Sequence, residues 1–257
     1  MRNEKWSQEE HILAFNLYCK IPFTKINANY QPVKELAEII GRSDGSVAMK
    51  LANFARLDPV LKARNISGLT QGAKGEEEVW NMFNGNWEEL AWQSEKILAK
   101  YKHDSVENTA EIIKDDLPKE GKEREAIVKI RVNQSFFRKT ILASYNNICC
   151  ITGISIPELL IASHIIPWAR DDKNRMNPAN GLCLNALHDK AFDKGLITIT
   201  PDFVVRISDR FLGVLTKTKL EGFFLPYNGK KISLPNKFLP QREFLEYHNS
   251  TIYNLHN

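Results

Sequence analysis

With 257 residues, 43% hydrophobic and 26% charged, the chain has ordinary globular composition and room for one or two domains that bury their own cores. Its net charge of +4 suits a nucleic-acid partner without requiring one, and no run approaches the ~18 apolar residues of a membrane span. The opening MRNEKWSQEEH has no apolar signal-peptide core. The four cysteines, Cys19, Cys149, Cys150 and Cys183, show no disulfide framework, and adjacent Cys149 and Cys150 are poorly placed to bridge each other. A soluble cytoplasmic protein with reduced thiols, and no membrane partner, is expected.

The first element is a helix starting after Ser7, with Glu10 at capping-box spacing; Ile12, Leu13, Phe15, Leu17 and Tyr18 are its apolar residues, and Pro22 closes it. Val33, Leu36, Ala37 and Ile40 then fall at i, i+3, i+4 and i+7, one face of a second helix, with Gly41 at the position of a C-terminal cap. A polar turn, Arg42 to Gly45, leads to a third helix with Val47, Leu51 and Phe54 inside. Helix, short glycine-containing turn and helix is the outline of a helix-turn-helix. On that outline Arg42, Ser46, Lys50, Asn53 and Arg56 point outward and are candidate DNA contacts, although any small three-helix domain has the same pattern with solvated basic residues.

Asp58-Pro59 and a Gly/Ser/Thr loop at 66–70 precede a helical stretch around Glu76 to Phe83. Trp80, Phe83, Trp87, Leu90, Ala91 and Trp92 form an aromatic cluster; such rows can stack bases, but rings this dense more often build a core. From Lys102 to Glu125 the large hydrophobic residues thin out and charges of both signs take over, with Pro118 and Gly121, the composition of a connector. The expected organisation is a helical recognition domain over 1–102, a charged linker over 103–124 and a second domain over 125–257.

That second domain opens with a helix in which Val128, Val132, Phe136, Phe137 and Leu142 alternate with basic residues. Arg131, Gln134, Ser135 and Arg138 share one face, and with Lys139 they offer either a solvated surface or a set of phosphate contacts. Two short strands are predicted next, around Ile148–Ile151 and Leu159–Ala162 with a Thr-Gly turn between, the second ending in Ser163-His164. The run Gly181 to His188 leads into a short helix that stops near Lys194-Gly195, and Leu196–Thr200 with Phe203–Ile207 makes a further strand pair.

The segments SHIIPW, NPANGL and LNALHDKAFDKGL, in that order, resemble the HNH endonuclease motif of the ββα-metal fold, in its variant with an SHI-x-PW opening. RVNQSFFRKTILASYNNICCITG resembles the family's lead-in and LPQREFLEYHN its tail, so the resemblance covers about residues 124 to 250. It implies an α+β chain: a mainly helical, helix-turn-helix-like N-terminal domain followed by a ββα-metal nuclease domain. It also implies roles: His164 as general base on water, Asn180 as the residue that orients it, and His188 as ligand of a single divalent cation, Mg²⁺ or Mn²⁺. A neutral imidazole can deprotonate water at cellular pH, and a hard cation bound through few protein groups keeps waters and takes phosphate oxygens. Three positions depart from the family pattern. Ser163 stands where Asp or His usually helps bind metal, Phe192 where many members have a further histidine, and the cysteines do not form the two CxxC pairs of a structural zinc. No structural zinc is therefore expected; His188 is left as the main ligand, with Asp189 a nearby candidate and Asp193 assigned to the helix end. His11, His103, His248 and His256 have no such context and are read as surface or packing residues.

The implied activity is metal-dependent hydrolysis of double-stranded DNA in restriction or modified-DNA defence, with Arg170 and Lys173 as further phosphate contacts. Double-strand cutting by domains with one site each would call for a homodimer. The competing reading is a non-catalytic helix-turn-helix regulator carrying a degenerate HNH fold, against which the retention of all three signature residues counts.

Overall fold

The first helix starts where Ser7 and Glu10 predict it. In the computed structural model, which describes residues 4–64, 74–113, 117–215 and 218–254, α1 (Gln8–Lys20) is closed by a reciprocal capping box. The Ser7 hydroxyl accepts the Glu10 amide at 3.2 Å, and the Glu10 carboxylate accepts the Ser7 amide at 2.6 Å. α2 (Gln31–Ile40) ends at Gly41, whose φ of 68° is the left-handed conformation a glycine adopts without strain, and α3 (Asp44–Ala55) starts from a Ser43 cap. α4 (Pro59–Ala63), α5 (Lys74–Phe83), α6 (Trp87–Lys102) and the short α7 (Val106–Thr109) follow. The loop predicted at 66–70 lies outside the described residues.

Phe15 is the centre of this helical core. Its ring lies 4.9 Å from that of Phe54, 5.2 Å from Trp80 and 6.1 Å from Trp87, all buried. Phe83, Leu90 and Ala91 are buried with them and Trp92 half-buried, so the aromatic cluster is core rather than a stacking platform. Beside it, the fully buried Tyr18 hydroxyl donates to Asp58 at 3.0 Å.

The long α8 (Lys122–Ser144) packs Val128, Val132, Phe136, Phe137 and Ile141 into the interior, with α1 and α6 as its neighbours. The chain divides into two compact units, Met1–Ser144 and Tyr145–Asn257, so α8 belongs with the preceding helices instead of opening the second domain at 125. Its apolar face is what decides this, because that face is covered by helices of the first unit. Within the expected linker, Arg124 pairs with Glu107 at 2.9 Å and holds α7 against the start of α8.

In the second unit β1 (Leu160–His164) runs antiparallel to β2 (Gly181–Asn185), with His164 opposite Gly181 and Ser163 opposite Leu182. α9 (Ala186–Asp193) follows without a loop, so the partner of β1 is the run before this helix rather than the one at 148–151. The predicted strand at 148–151 is a turn instead. The Cys149 amide bonds the Ile154 carbonyl, the Gly153 amide returns to Cys149, and the Cys150 amide bonds Cys183 at the side of β2. These residues close on themselves and leave β1 to pair with the later run. β3 (Ile197–Ile199) and β4 (Val205–Ile207) form the second antiparallel pair as expected, and α10 (Asp209–Leu215), α11 (Glu221–Phe224) and α12 (Arg242–Tyr247) complete the unit with a π-helical segment, His248–Tyr253. The architecture is α+β. Among the described residues no helix is long and apolar enough to cross a membrane.

Candidate active site

Asn180 organises the site. It sits 1% exposed just before β2, and its side-chain oxygen accepts the Ile166 amide at 2.8 Å. Its amide nitrogen donates to the carbonyls of Ile166 and Asn174, each at 3.2 Å, and its own carbonyl accepts the Ile165 amide at 2.9 Å. One side chain thus clamps both ends of the 166–174 loop. Within the loop Asp171 accepts the Asn174 side chain at 2.6 Å, and Asn174 in turn accepts from Asn177 at 3.1 Å.

His164 ends β1 and turns into this loop. Its Nε2 lies 2.9 Å from the Arg175 carbonyl. A carbonyl only accepts, so Nε2 carries the proton and the neutral ring keeps its lone pair on Nδ1. Trp168 meets the ring edge-on at 5.6 Å, and Arg175 covers the indole at 5.2 Å while donating to the Trp168 carbonyl at 2.8 Å and pairing with Asp172. Burial pulls the His164 pKa below the usual 6.5, and the Arg175 carbonyl and Asp189 oppose this only in part. The imidazole is therefore unprotonated at neutral pH, the form a general base needs.

His188 goes elsewhere. It is buried, with Nδ1 3.1 Å from the Asn185 side-chain oxygen and its ring 4.8 Å from Phe224 and 5.7 Å from Tyr227. The next residue, Asp189, reaches the predicted base. Burial raises its carboxyl pKa, and the Ser163 hydroxyl, Lys190 and His164 lower it less. Successive helix residues point about 100° apart, and 188 and 189 accordingly meet different neighbours. Asp193 lies one turn on; its carboxyl is pushed up by burial and then by Asp189. The structure thus brings Asp189 to Ser163 and to His164, at the start of the loop held by Asn180, and Asp193 to Asp189, while the His188 ring faces Asn185, Phe224 and Tyr227. The first-turn carboxylate is the nearby candidate of the sequence reading, whereas Asp193 is assigned there to the helix end.

Among the described residues no three His, Cys, Asp or Glu side chains converge tightly enough to hold a metal by themselves. The donor chemistry nevertheless fits a hard divalent cation. Two carboxyl groups share a face, both pushed up, and the 2%-exposed Ser163 hydroxyl beside them has no partner in hydrogen-bond geometry. Phe192, at the position of the absent histidine, stacks on His248 at 3.6 Å; His248 donates to the Phe192 carbonyl and accepts from Thr198, which makes it a packing residue. All four cysteines are buried thiols, and Cys149 accepts the Asn185 amide at 3.3 Å.

Arg170 and Lys173 are exposed on the loop beside His164. Arg131 is half-buried, and Arg138 and Lys139 are exposed, on α8 of the other unit. The candidate contacts of the helix-turn-helix do not face outward. Arg42 binds Glu10 through two nitrogens at 3.0 and 2.9 Å, and the Glu4 and Lys5 carbonyls at 2.6 and 3.0 Å. Lys50 and Asn53 are buried and both donate to Glu76, at 2.6 and 2.9 Å, while Arg56 pairs with Glu77 at 3.0 Å. Acidic residues on α1 and α5 draw these groups inward, because a buried carboxylate needs donors more than a solvated cation needs a surface. What α3 exposes is Gly45 and Met49.

A buried asparagine clamping a loop, a histidine with its lone pair on Nδ1, and a carboxylate on the following helix come together in this one segment. Residues 149–200 match the family model of the HNH endonucleases. No curated protein matches the chain.

Proposed function

We propose that the chain is a divalent-metal-dependent DNA endonuclease acting in restriction or modified-DNA defence. The observation that carries the catalytic assignment is the bond from His164 Nε2 to the Arg175 carbonyl, in a loop held by Asn180. It presets Nδ1 to take a proton from the attacking water without a change of tautomer. Asn180 is a positioning residue, since it acts through the loop. Asp189, with Asp193 one turn away, supplies the protein oxygens for Mg²⁺ or Mn²⁺, and Ser163 is placed to bond the Asp189 carboxylate or a water next to it. When bound, the cation neutralises charge on the scissile phosphate and the leaving oxygen. Arg170 and Lys173 contact phosphates, and of the predicted contacts on α8 the exposed Arg138 and Lys139 and the half-buried Arg131 remain proposals of the same kind.

The N-terminal unit is the recognition module in this proposal, with double-stranded DNA as partner. Its reading surface is not the row Arg42, Lys50, Asn53 and Arg56, whose side chains are engaged by carboxylates of the same unit. That engagement also weighs against a regulator built on this helix-turn-helix alone. Supercoiled plasmid incubated with the protein and Mg²⁺ or Mn²⁺ should be nicked or linearised, and His164→Ala should stop this. Absence of cleavage by the wild type in either metal, or unchanged cleavage by His164→Ala, would sink the proposal.

A further inference from the structure

Leu13, Leu17 and Lys20 lie at i, i+4 and i+7 on α1, and this stripe faces a cavity of about 230 Å³ in the first unit. The other walls come from α2, α6 and α8. Leu36 of α2 and Leu98 of α6 extend the apolar side. On the floor Asn16 donates to the Ser94 hydroxyl, so these two polar groups satisfy each other.

The charged groups of the cavity are Lys20 on α1, Glu35 on α2, Glu95 and Lys102 on α6, and Lys139 on α8. Glu35 is exposed and accepts the Gln31 side chain at 3.1 Å, while Glu95, 6% exposed, attracts Lys20 from inside the wall. Lys139 faces Lys20 from the opposite side and repels it. The Lys20 ammonium lies 5.7 Å from the centre of the Phe136 ring, and among the described residues neither Lys20 nor Lys139 forms an ion pair or hydrogen bond. Lys20 is half-buried and Lys139 exposed, so neither is closed off from a ligand.

An ammonium offers three donors and accepts nothing. Two of them facing each other beside a leucine wall suit a carboxylate with an apolar tail, whose charge relieves their repulsion while the tail covers the leucines. A cation would add to the repulsion, and a neutral apolar molecule would desolvate Lys20 and return nothing. At roughly 30 Å³ per water, the cavity holds the volume of about seven or eight waters, which suits a small molecule rather than a polymer. We propose that this cavity binds a small monocarboxylate with an apolar tail, its carboxylate held between Lys20 and Lys139 and its tail against Leu13, Leu17, Leu36 and Leu98. Burial lowers the Lys20 pKa to about 8, Glu95 raising it and Lys139 lowering it in turn, so the amine is charged at neutral pH and loses its proton as the pH rises past 8.

The test is a titration of the full chain in EDTA with octanoate, 1-octanol and inorganic phosphate, followed by calorimetry and NMR. Saturable octanoate binding at pH 7 is expected, with octanol about tenfold weaker and phosphate weaker than octanoate. Lys20→Met keeps an unbranched side chain beside Phe136 and should bring octanoate down to the level of octanol. Lys139→Gln, at an exposed position where folding is not at stake, should weaken octanoate severalfold and move the Lys20 titration upward. Between pH 7 and 10 the wild type should lose about tenfold in octanoate affinity, with octanol binding flat and Lys20→Met insensitive. Equal affinity of octanoate and octanol for the wild type, or octanoate binding untouched by both substitutions, overturns the proposal. Phosphate as tight as octanoate overturns it too, since the seat would then belong to a bare anion such as a DNA phosphate at Lys139. Because the titration contains no metal and no DNA, its failure leaves the nuclease proposal intact, and failure to cleave DNA leaves this one intact.

Discussion

Replacing Asn180 by Ala tests the clamp directly. The side chain accepts one amide and donates to two carbonyls, so its removal leaves the Ile166 N–H, the Ile166 carbonyl and the Asn174 carbonyl without that partner. At about 1 kcal/mol for each bond the loss is roughly 3 kcal/mol, read as a lower midpoint in urea. Function should suffer more than stability. Ile166 lies two residues after His164, and Asn174 immediately precedes Arg175, whose carbonyl fixes the base, so the loosened loop displaces the ring that must meet water. A displacement near 1 Å costs about 100-fold in rate, to be read from plasmid nicking in Mn²⁺. The pH profile separates positioning from mere loss of fold. Burial holds the His164 pKa low, so a loosened, wetter ring should move the acid limb of the rate upward toward 6.5. Asn180→Asp should be worse than Ala at neutral pH, because its carboxylate faces two carbonyl oxygens at the positions now 3.2 Å away, and should recover as the pH falls and the carboxyl can donate. An Asn180→Ala protein with wild-type stability, wild-type nicking and an unmoved acid limb would refute the clamp.

Three further outcomes follow from other residues. Millimolar Mn²⁺ should raise the melting temperature of the wild type and of His188→Phe but not of Asp189→Asn, by up to roughly 3 kcal/mol of stability at a hundredfold excess over Kd; the reverse pattern would return the ligand role to His188. His248 is held neutral by burial, its pKa lowered to about 4, whereas the unfolded chain titrates near 6.5. Between these values the unfolded state binds a proton that the native state does not, so stability is full above about 6.5 and falls by up to roughly 3 kcal/mol as the pH drops to 4. His248→Phe should reduce that slope in urea titrations across the range, and an unchanged slope would contradict it. Glu76→Gln leaves the buried Lys50 without its counter-charge and should destabilise the chain by roughly 3 to 5 kcal/mol, while Glu76→Leu with Lys50→Met should recover much of the loss; equal stability of Glu76→Gln and wild type in urea would show that Lys50 finds water instead.

The helix starts, the Gly41 cap, the β3–β4 pair and the loop-holding position of Asn180 were legible because local chemistry determines them. Ser7 and Glu10 cap each other across three residues, and an asparagine flanked by apolar strands has few uses except to satisfy backbone. The inward turn of Arg42, Lys50 and Asn53 was not legible, since the carboxylates that draw them in lie 32, 26 and 23 residues away along the chain. The same limit hid the packing of α8. Its apolar stripe was visible, but a stripe does not state which helices will cover it. The turn at 148–153 was misread as a strand because four apolar residues suit either a strand or the buried corner of a turn, and only the Cys150–Cys183 bond places them beside β2.

The choice between His188 and Asp189 shows where spacing along a sequence stops being informative. In the first turn of a helix each residue faces a different neighbour, and the register of β1 against β2 selects which one meets the base. Ser163 pairs with Leu182 and His164 with Gly181, which brings the end of β1 to the side of α9 that carries Asp189. The energetics point the same way. A carboxylate in the first turn of a helix is normally favoured by the positive end of the dipole, yet burial lifts the Asp189 pKa, and Asp193 is lifted further by its charged neighbour. Lys190 and His164 do not offset this. A divalent cation beside them, whose charge exceeds what either side chain supplies, would favour the ionised form of both. His188 has a different setting: its Nδ1 faces the Asn185 side-chain oxygen, and its ring packs against Phe224 and Tyr227. Within one helical turn, therefore, a carboxylate meets the end of β1 while the neighbouring imidazole is held among aromatic rings.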